Sequence, residues 1–439
     1  MGELTRTDMS VQRERVLLVG VIRPNSTVDP MDPLGELRSL AKTAGADVID
    51  EMIARRKTIN AAYYVGTGKA QEIADRAEMN RIDTIIFDND LSPAQIGDLE
   101  EITKRKVLDR GELILDIFAA HAQTSESRLQ VELAQLEYTY PRLRHMWTHL
   151  EHIAGGASTA ASAVGGIGTR GPGEKQLEID RRLVQKRVSH LKEQLKEIDR
   201  RKLREVRSRK DVYSVCLVGY TNAGKSTLMN LLTGAGVYVA DQLFATLDTK
   251  TARWRLGDGQ EVLLSDTVGF VRNLPHHLVA SFRATLEEAI WADLLIHVAD
   301  ASHPLVQQQI EAVKGVLEDL DCDAEKQLLV LNKLDRLSDP VTRSMLAGKH
   351  PGAIFLSAVT GEGADGLIGV VLERSAGLPV RVTIQANCRN GKLMQFIARY
   401  AQVRSQTYLD ATACIEADLA VQRVEELRRF GKDVQVEVQ

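Results

Sequence analysis

The stretch GYTNAGKS (219–226) constrains the fold of this chain more than any other. It matches the pattern GxxxxGK[ST] and stands between an apolar run, YSVCLV (213–218), and a helix-like segment, TLMNLL (227–232). In such a strand–loop–helix unit, glycines let backbone N–H groups curl around phosphates, and the dipole of the helix adds to the attraction. The sequence therefore predicts a P-loop domain with a mostly parallel sheet and helices on both faces.

Polar residues in and after this loop are candidates for holding phosphates and a metal. Lys225 should reach the β- and γ-phosphates, and Ser226 should ligate Mg²⁺. A buried-strand pattern, EVLLSD (261–266), ends in Asp266, which would act on Mg²⁺ through a water. Gly269 follows, placed to offer a backbone N–H to a terminal phosphate.

The segment DQLFATLDTK (241–250) contains the candidate for a mobile metal ligand. A threonine here would complete the Mg²⁺ shell while the γ-phosphate is present and let go after hydrolysis. Thr246, Thr249 and Thr251 compete for this role, with an ordinary strand threonine as the alternative. We assign the role to Thr246, and we predict that Lys225, Thr246 and Gly269 are catalytic.

Guanine is predicted as the base. LLVLNKLD (328–335) is an apolar run that ends in NKLD. Asp335 can accept hydrogen bonds from two guanine donors that adenine lacks. Asn332 would join the base edge to the phosphate loop, and the stem of Lys333 could lie over the purine. FLSAV (355–359) then places Ser357 and Ala358 to donate a backbone N–H to the guanine O6.

The complete predicted nucleotide-binding set spans five segments of the chain. Its members are Gly219, Tyr220, Thr221, Asn222, Ala223, Gly224, Lys225, Ser226, Thr227, Phe244, Ala245, Thr246, Leu247, Asp248, Asp266, Thr267, Val268, Gly269, Asn332, Lys333, Leu334, Asp335, Ser357, Ala358 and Val359.

Phe270 follows Gly269 at a position where many GTPases carry a glutamine that orients the attacking water. A phenyl ring cannot hydrogen-bond a water, and phosphoryl transfer depends on positioning and charge stabilisation. We therefore expect slow intrinsic hydrolysis, with the missing element supplied by a partner or by reordering on docking.

At this point the chain resembles the HflX family of ribosome-associated GTPases. The resemblance rests on LFATLD, DTVGFVRNLPHHLVASFRATLEEA and NKLD, and on GGIGTRGPGEKQLEIDRR (165–182), YYVGTGKAQEI (63–73) and FDNDLSPAQ (87–95). It covers roughly residues 15 to 377. It implies a GTP-dependent factor that binds the large ribosomal subunit, helps to split or rescue stalled ribosomes, and directs its glycine-rich loop toward the peptidyl-transferase region.

Four parts are expected along the chain. Residues 1–120 alternate strand and helix patterns, which predicts a small α/β domain with a mostly parallel sheet. Residues 121–210 carry two heptad seams, from Leu129 to Leu150 and from Leu177 to Ile198, which predict an antiparallel helical hairpin. A glycine-rich loop, 154–175, lies between them. The P-loop domain takes 211–377, and 378–439 should be a small α+β domain.

The second helix of the hairpin is strongly basic. Between Lys175 and Lys210 there are fourteen Lys or Arg residues against six Asp or Glu residues, although the whole chain has a net charge of −4. This excess is typical of a surface that binds RNA phosphates, and the alternative is the solvated face of a coiled coil. The predicted RNA-binding residues are Arg170, Lys175, Arg181, Arg182, Lys186 and Arg187.

Three other functions stay open at this stage. They are a ribosome-assembly GTPase of another branch, a GTP switch that binds a protein or membrane effector, and an ATP-dependent P-loop enzyme such as a kinase. NKLD disfavours the last, and the hairpin with its glycine-rich loop disfavours the first.

We find neither a signal peptide nor a membrane-spanning run, and four widely spaced cysteines fit a reducing compartment. We therefore expect a cytoplasmic protein. Separately, we expect it to be a monomer.

Overall fold

The computed structural model describes most of the chain. The described residues are 13–24, 26, 28–140, 172–208, 212–236, 243–244, 248–257, 260–272, 288–337, 339–376, 379–409, 412–420, 423–424, 427, 430–431 and 434–438. Within helix 172–208, the side chains of residues 172–180, 199 and 202–208 are not described. None of the helices in these ranges combines the length and apolar character that crossing a bilayer requires.

The N-terminal elements form a four-stranded parallel sheet in the order β2-β1-β3-β4. They are β1 (Arg15–Ile22), α1 (Gly35–Thr43), β2 (Asp47–Arg55), α2 (Thr67–Met79), β3 (Thr84–Phe87), α3 (Pro93–Thr103), β4 (Lys106–Asp109) and α4 (Arg110–His121). Successive residues of β1 enter separate apolar clusters, Val16 and Leu18 in one, Leu17 and Val19 in the other. Both faces of the sheet are therefore covered, which explains the uninterrupted apolar run of β1.

Two helices form the predicted hairpin, named here the arm: α5 (Ser125–Thr139) and α6 (Pro172–Ser208). Leu133 on α5 lies in one apolar cluster with Leu191 and Leu195 on α6. Tyr140, just past the end of α5, instead accepts a hydrogen bond from Gln185, earlier along α6. The contacts advance along α5 as they retreat along α6, so the two helices run antiparallel, as the heptad spacing predicts.

One boundary of the arm differs from expectation. The helix α6 already begins at Pro172, inside the segment 154–175 that was predicted to be a loop. Proline is well tolerated in the first turn of a helix because its missing N–H has no intrahelical partner there. The remainder of that loop, and the part of the first seam from Leu143 to Leu150, lie outside the described residues.

The P-loop domain contains a six-stranded sheet in the order β10-β9-β8-β5-β7-β6. All neighbours are parallel except the β6–β7 pair, which confirms the mostly parallel sheet. Its elements are β5 (Ser214–Gly219), α7 (Lys225–Thr233), β6 (Lys250–Gly257), β7 (Gln260–Asp266), β8 (Leu294–Asp300), α8 (Val306–Asp319), β9 (Gln327–Asn332), α9 (Pro340–Lys349), β10 (Ile354–Phe355) and α10 (Ala364–Ala376).

The C-terminal residues form a small α+β domain, as predicted. Its four strands are antiparallel in the order β12-β13-β11-β14. The elements are β11 (Pro379–Asn387), α11 (Gly391–Tyr400), β12 (Gln402–Leu409), β13 (Thr412–Ala420) and β14 (Gln435–Val438). Leu393 and Ile397 of α11 pack on one face of this sheet, against Ile384 and Ile415.

The N-terminal sheet and the P-loop domain share an apolar cluster. Residues of α1, α4 and α5 pack in one cluster with four residues of the P-loop domain: Leu243, Phe244, Val268 and Val271. These four belong to the two segments that flank the predicted nucleotide site, named here switch I (243–248) and switch II (266–272). The N-terminal domain is therefore packed against both switches.

Candidate functional site

The predicted site residues follow strands of one parallel sheet. β5 ends at Gly219, β7 at Asp266, β9 at Asn332 and β10 at Phe355. Because β5, β9 and β10 are parallel, and β7 is parallel to β5, these ends lie on the same edge. Crevices at the carboxyl ends of such strands are the usual ligand sites of open α/β sheets.

Two glycines of the P-loop are required by close contacts. A side chain at Gly219 would place its Cβ 2.1 Å from the carbonyl oxygen of Val298. Gly224 has φ +94°, and a Cβ there would lie 2.3 Å from Nδ2 of Asn332. The loop therefore needs glycine at both ends, as the GxxxxGK pattern requires.

Lys225 is almost completely buried beneath this loop. Its Nζ donates to the carbonyl oxygens of Gly219, at 3.1 Å, and Tyr220, at 3.0 Å. Burial lowers the pKa of Lys225 to about 8, although the charge of Asp266 opposes that change. An ammonium group held in this way is suited to a ligand that brings negative charge.

Ser226 and Asp266 form a pair with the chemistry of a magnesium site. Ser226 Oγ donates to Asp266 Oδ2 at 2.6 Å, and Oδ1 of the same carboxylate is buried with no hydrogen-bond partner. Burial raises the pKa of Asp266 above its usual value, against the opposing effects of Lys225 and Ser226. An unpartnered buried carboxylate oxygen beside a hydroxyl fits a hard divalent cation, so these residues suit Mg²⁺.

Switch II is joined to the P-loop by backbone hydrogen bonds. Thr221 N donates to Phe270 O at 2.7 Å, and Phe270 N donates to Gly219 O at 3.1 Å. The Phe270 ring is buried in an apolar cluster with Tyr220 and Leu295. The side chain that replaces a water-positioning glutamine therefore packs into the core of the domain.

Gly269 sits where switch II passes closest to the P-loop. A Cβ at this position would come within 2.6 Å of the Thr221 side chain and 2.9 Å of Lys225 Nζ. Only glycine fits between these atoms. The structure thus brings Gly269 next to Lys225, as expected for two groups that act on the same phosphate.

Asn332 connects the P-loop to the predicted base-binding segments. Its Nδ2 donates to Ala223 O at 2.8 Å, and its Oδ1 accepts from Ala358 N at 2.9 Å. Ser357 Oγ donates to Asp335 Oδ1 at 2.6 Å, which orients that carboxylate. Asp335 stays the predicted acceptor for guanine. The backbone N–H groups that were predicted to reach the guanine O6 instead donate within the protein, Ser357 N to Glu362 O at 2.9 Å and Ala358 N to Asn332.

Lys333 has a partner that the motif alone does not reveal. Its Nζ lies 2.8 Å from Oδ2 of Asp300, at the end of β8, and its backbone is left-handed, with φ 60°. Asp300 thus fixes the position of the lysine stem that was predicted to cover the purine. The position of Asp300 at the end of a buried strand was the available signal.

The other predicted nucleotide-binding residues differ in exposure. Val359 is exposed, 74% of its surface being accessible. Asn222 has a left-handed backbone, with φ 59°. The buried members are Tyr220, Thr221, Thr267, Val268 and Leu334, and Thr227 directly follows Ser226 in α7.

Some of the predicted residues lie outside the described residues. They are Ala245, Thr246 and Leu247 of switch I and Arg170 of the arm. For Lys175 only the helical backbone is described. The role of Thr246 as a metal ligand stays a prediction.

Two parts of switch I contact the N-terminal half of the chain. The ring of Phe244 packs edge-to-face on Phe118 of α4, with centroids 4.6 Å apart. The carboxylate of Asp248 accepts from Thr124 Oγ1 at 2.6 Å, so this side chain is directed toward the arm. Asp248 was predicted from its place in the motif, and its contact with the arm was not.

A buried polar network at the domain interface was also not predicted. Tyr220 Oη donates to Glu36 Oε1 at 2.5 Å, and Arg272 N donates to Tyr220 Oη at 2.6 Å. Arg272 and Arg110 each bond Asp88, at 2.7 and 2.6 Å, and Arg110 also pairs with Glu36 at 3.0 Å. Glu36, Asp88 and Arg110 belong to the N-terminal domain, and docking of the P-loop domain adds Tyr220 and Arg272 to them.

Comparisons with known proteins find relatives for most of the chain. Three family profiles match successive parts of the chain: GTP-binding GTPase N-terminal at 31–119, GTP-binding GTPase Middle Region at 121–209, and 50S ribosome-binding GTPase at 214–333. A solved GTP-binding protein from Sulfolobus solfataricus, in complex with GDP, aligns with a TM-score of 0.42 at 23% identity, covering 82% of this chain and 98% of that one. At this score the likeness carries no structural argument.

Closer relatives are found among curated proteins. The GTPase HflX of Escherichia coli (strain K12) is 45% identical over 366 residues, which cover 83% of this chain and 84% of that protein. The GTPase HflX of Magnetococcus marinus is 41% identical over 433 residues, covering 96% and 97%. These matches confirm the predicted GTP hydrolase activity and the resemblance noted in the sequence. This chain belongs to the HflX family of GTPases.

Proposed function

We propose that this protein is a Mg²⁺-dependent GTPase that binds the large ribosomal subunit and acts as a ribosome-splitting or rescue factor under the control of GTP. The observation that carries this proposal is the basic helix α6, packed through α5 beside the switches. A long, positively charged helix is suited to the phosphates of ribosomal RNA. A cytoplasmic location goes with that partner. The 50S ribosome-binding description of the matching P-loop family supports the choice of subunit.

Particular residues are proposed to bind the nucleotide and the metal ion. Lys225 would contact the β- and γ-phosphates, and Asp335 would accept from guanine. Ser226, Asp266 through a water, and Thr246 would hold Mg²⁺, which when bound neutralises developing charge on the phosphate oxygens. Gly269 would offer its backbone N–H to the terminal phosphate.

Intrinsic hydrolysis should be slow because Phe270 is buried and cannot orient a water. We infer that the ribosome supplies the missing element or reorders switch II. Partner-supplied groups in GTPases accelerate hydrolysis by about 10³- to 10⁵-fold, and a partner that only reorders a switch gives less.

Single-turnover GTP hydrolysis by the full chain, alone and with purified large or small subunits, tests this proposal. We expect an acceleration of at least about tenfold with large subunits, equivalent to about 1.4 kcal/mol of barrier, and none with small subunits. The protein with a non-hydrolysable GTP analogue should split intact ribosomes, and sedimentation should then show free subunits. If large subunits neither co-sediment with the protein nor change its rate, a protein or membrane effector becomes the better assignment.

A further inference from the structure

Asp248 lies between the metal side of the nucleotide site and the arm. Asp248 stands two residues before β6, which starts at Lys250. Lys250 in turn pairs directly with Asp266 between strands β6 and β7. On its other side, its carboxylate accepts from Gln123 N at 3.2 Å, Thr124 N at 3.3 Å and Thr124 Oγ1 at 2.6 Å. One side chain thus joins the P-loop domain to the start of the arm.

These contacts fall on the N-terminus of α5. Thr124 is the residue that caps this helix, and its Oγ1 accepts from Ser127 N at 3.1 Å. Asp248 adds a carboxylate at the same end, where the helix dipole favours negative charge. The cap of α5 is therefore completed by a residue of switch I.

The arm can carry a displacement from its basic surface to this cap. Glu132 of α5 bonds both Nε and Nη2 of Arg187 on α6, at 2.7 and 2.8 Å. Glu137 pairs with Lys192 at 2.8 Å, beside the apolar seam. α5 and α6 are thus joined at several points, so a displacement of α6 would also displace α5, including its N-terminus.

Switch I has a second anchor on the N-terminal half. Phe244 is buried against Phe118 of α4 and has φ 58°, a left-handed conformation that is unfavourable for an aromatic residue. Such strain is found at switch regions where the surrounding packing enforces it. Phe244 and Asp248 are therefore both held by the N-terminal half, and Thr246, the predicted metal ligand, lies between them in the chain.

We propose that Asp248 is a positioning residue that passes docking of the arm on RNA to the metal side of the nucleotide site. Engagement of α6 then sets the position of switch I through the capped start of α5, and this accelerates hydrolysis. The inference rests on the proposed function. Because coupling between two binding sites is reciprocal, the nucleotide state also changes the affinity of the arm for RNA.

Substitutions at Thr124 test the link without altering the nucleotide site. Thr124→Val removes the hydroxyl that bonds Asp248 and keeps a branched side chain, whereas Thr124→Ser keeps the hydroxyl. Ser92→Ala is the matched control, because Ser92 caps α3 of the N-terminal domain by accepting from Gln95 N and its cap has no hydrogen bond to the described residues of switch I. Hydrolysis is measured for each full-length variant with saturating large subunits and without them.

The stimulated rate of Thr124→Val should fall about fivefold or more, in the usual range of allosteric coupling, while its unstimulated rate stays within about twofold of wild type. Thr124→Ser and Ser92→Ala should keep the wild-type ratio of stimulated to unstimulated rates. Full stimulation of Thr124→Val would overturn the proposal, and so would an equal loss in Ser92→Ala.

Amide hydrogen exchange provides a readout that needs no ribosome. In wild-type protein, the first turn of α5 around Ser127 should exchange at different rates with GDP and with a non-hydrolysable GTP analogue. Thr124→Val should remove that difference. Identical exchange in both wild-type complexes would overturn the link even if ribosome binding is strong. A clear difference in a protein that ignores large subunits would support the link and contradict the proposed function.

Discussion

Lys225 keeps an ammonium group where little water reaches it, and this has a measurable consequence. Burial disfavours the charged form and lowers its pKa to about 8, from an ordinary value of 10.5. Phosphate oxygens would favour the charged form, so its pKa should rise when nucleotide binds. The lysine of the free protein is partly neutral above pH 8, and binding should then draw a proton from solution.

Proton uptake is expected when GDP binds above pH 8. At pH 8.5 it should approach about three quarters of a proton per nucleotide, and at pH 7 it should be close to zero, because Lys225 is then already charged. Calorimetric titrations in buffers of different ionisation heat give this number directly. Equal uptake at both pH values would contradict the assignment.

The same shift affects the stability of the nucleotide-free protein. Between about pH 8 and 10.5 the unfolded lysine is protonated while the folded lysine is largely neutral, so the unfolded state binds more protons and this contribution to stability rises with pH. Below pH 8 Lys225 is charged in both the folded and the unfolded state, and the full free-energy cost of burying its charge then lowers the stability of the folded state.

Individual site residues were predictable to different degrees. Asn332 was expected to join the phosphate loop to the base site, and its bonds to Ala223 and Ala358 do this. These contacts could be expected because the order of motifs along an alternating α/β chain determines which strand ends meet, whereas contact of Asn332 with the base stays a prediction. Tyr220 and Arg272 gave no signal of their bonds to Glu36 and Asp88, since those partners lie in another domain.

The arm shows what periodicity reveals about an element and what it does not. Heptad spacing correctly indicated the seam that contains Leu133 and Leu191. It could not show that two of the predicted RNA-binding residues have roles within the arm. Arg187 bonds Glu132 on α5, and the guanidinium of Arg181 lies 5.4 Å from the ring centre of Tyr140. Neutralising these two would loosen the seam as well as remove charge.

RNA binding by the arm is better tested at Arg182 and Lys186, which are exposed on α6. Replacing both with glutamine should weaken affinity for large subunits and lower the slope of log affinity against log salt by about 0.7 to 0.9 for each phosphate that is no longer neutralised. The matched control replaces Lys326 and Lys349, exposed lysines of the P-loop domain, and should leave the slope unchanged. If the arm variant keeps the wild-type slope, Arg182 and Lys186 face solvent and do not contact RNA phosphates.

Strand prediction was weakest in the C-terminal domain. The sequence predicted a small α+β domain here, but β12 and β13 were not identified from it. β12 is exposed along nearly its whole described length, and its sequence, QVRSQTYL, is largely polar. Such an edge strand is defined by its pairing with β13, and pairing between segments leaves little trace in the local pattern.

At the scale of the whole molecule, a charged cluster of the N-terminal domain lies where the P-loop domain packs against it. Arg110 is 1% exposed and pairs with Asp88, 7% exposed, and with Glu36. Burial alone would raise the pKa of Glu36, but Arg110, Tyr220 and Arg272 outweigh it and hold that pKa below its usual value. Removing one member of a buried ion cluster leaves the others without compensation, which is costly.

Arg110→Met should therefore reduce the free energy of unfolding by about 3 kcal/mol or more. Glu261→Gln is the control, because its pairs with Arg253 and Arg255 are exposed and should contribute less than about 1 kcal/mol. Urea unfolding followed by circular dichroism measures both. If the free energy of unfolding falls no further in Arg110→Met than in Glu261→Gln, the charged cluster contributes little to stability.

Acid should act on the same cluster. Because the folded pKa of Glu36 is depressed, its contribution to stability is present above its ordinary pKa of 4.5 and is lost as pH falls through the lower folded value. In Arg110→Met the main opposing charge is gone, so the pKa of Glu36 should rise toward its ordinary value and the part of the acid-induced loss of stability that Glu36 causes should become smaller.

The apolar cluster shared by the two domains also bears on how the chain is made. The N-terminal sheet is complete once β4 has been synthesised, and its pairings are all local to the first 109 residues. The cluster on its α1 and α4 side is completed only by Leu243, Phe244, Val268 and Val271. During translation the folded N-terminal domain therefore exposes an apolar surface while more than 120 further residues are added after His121. Such surfaces promote aggregation, so the nascent chain should be most dependent on chaperones in this interval.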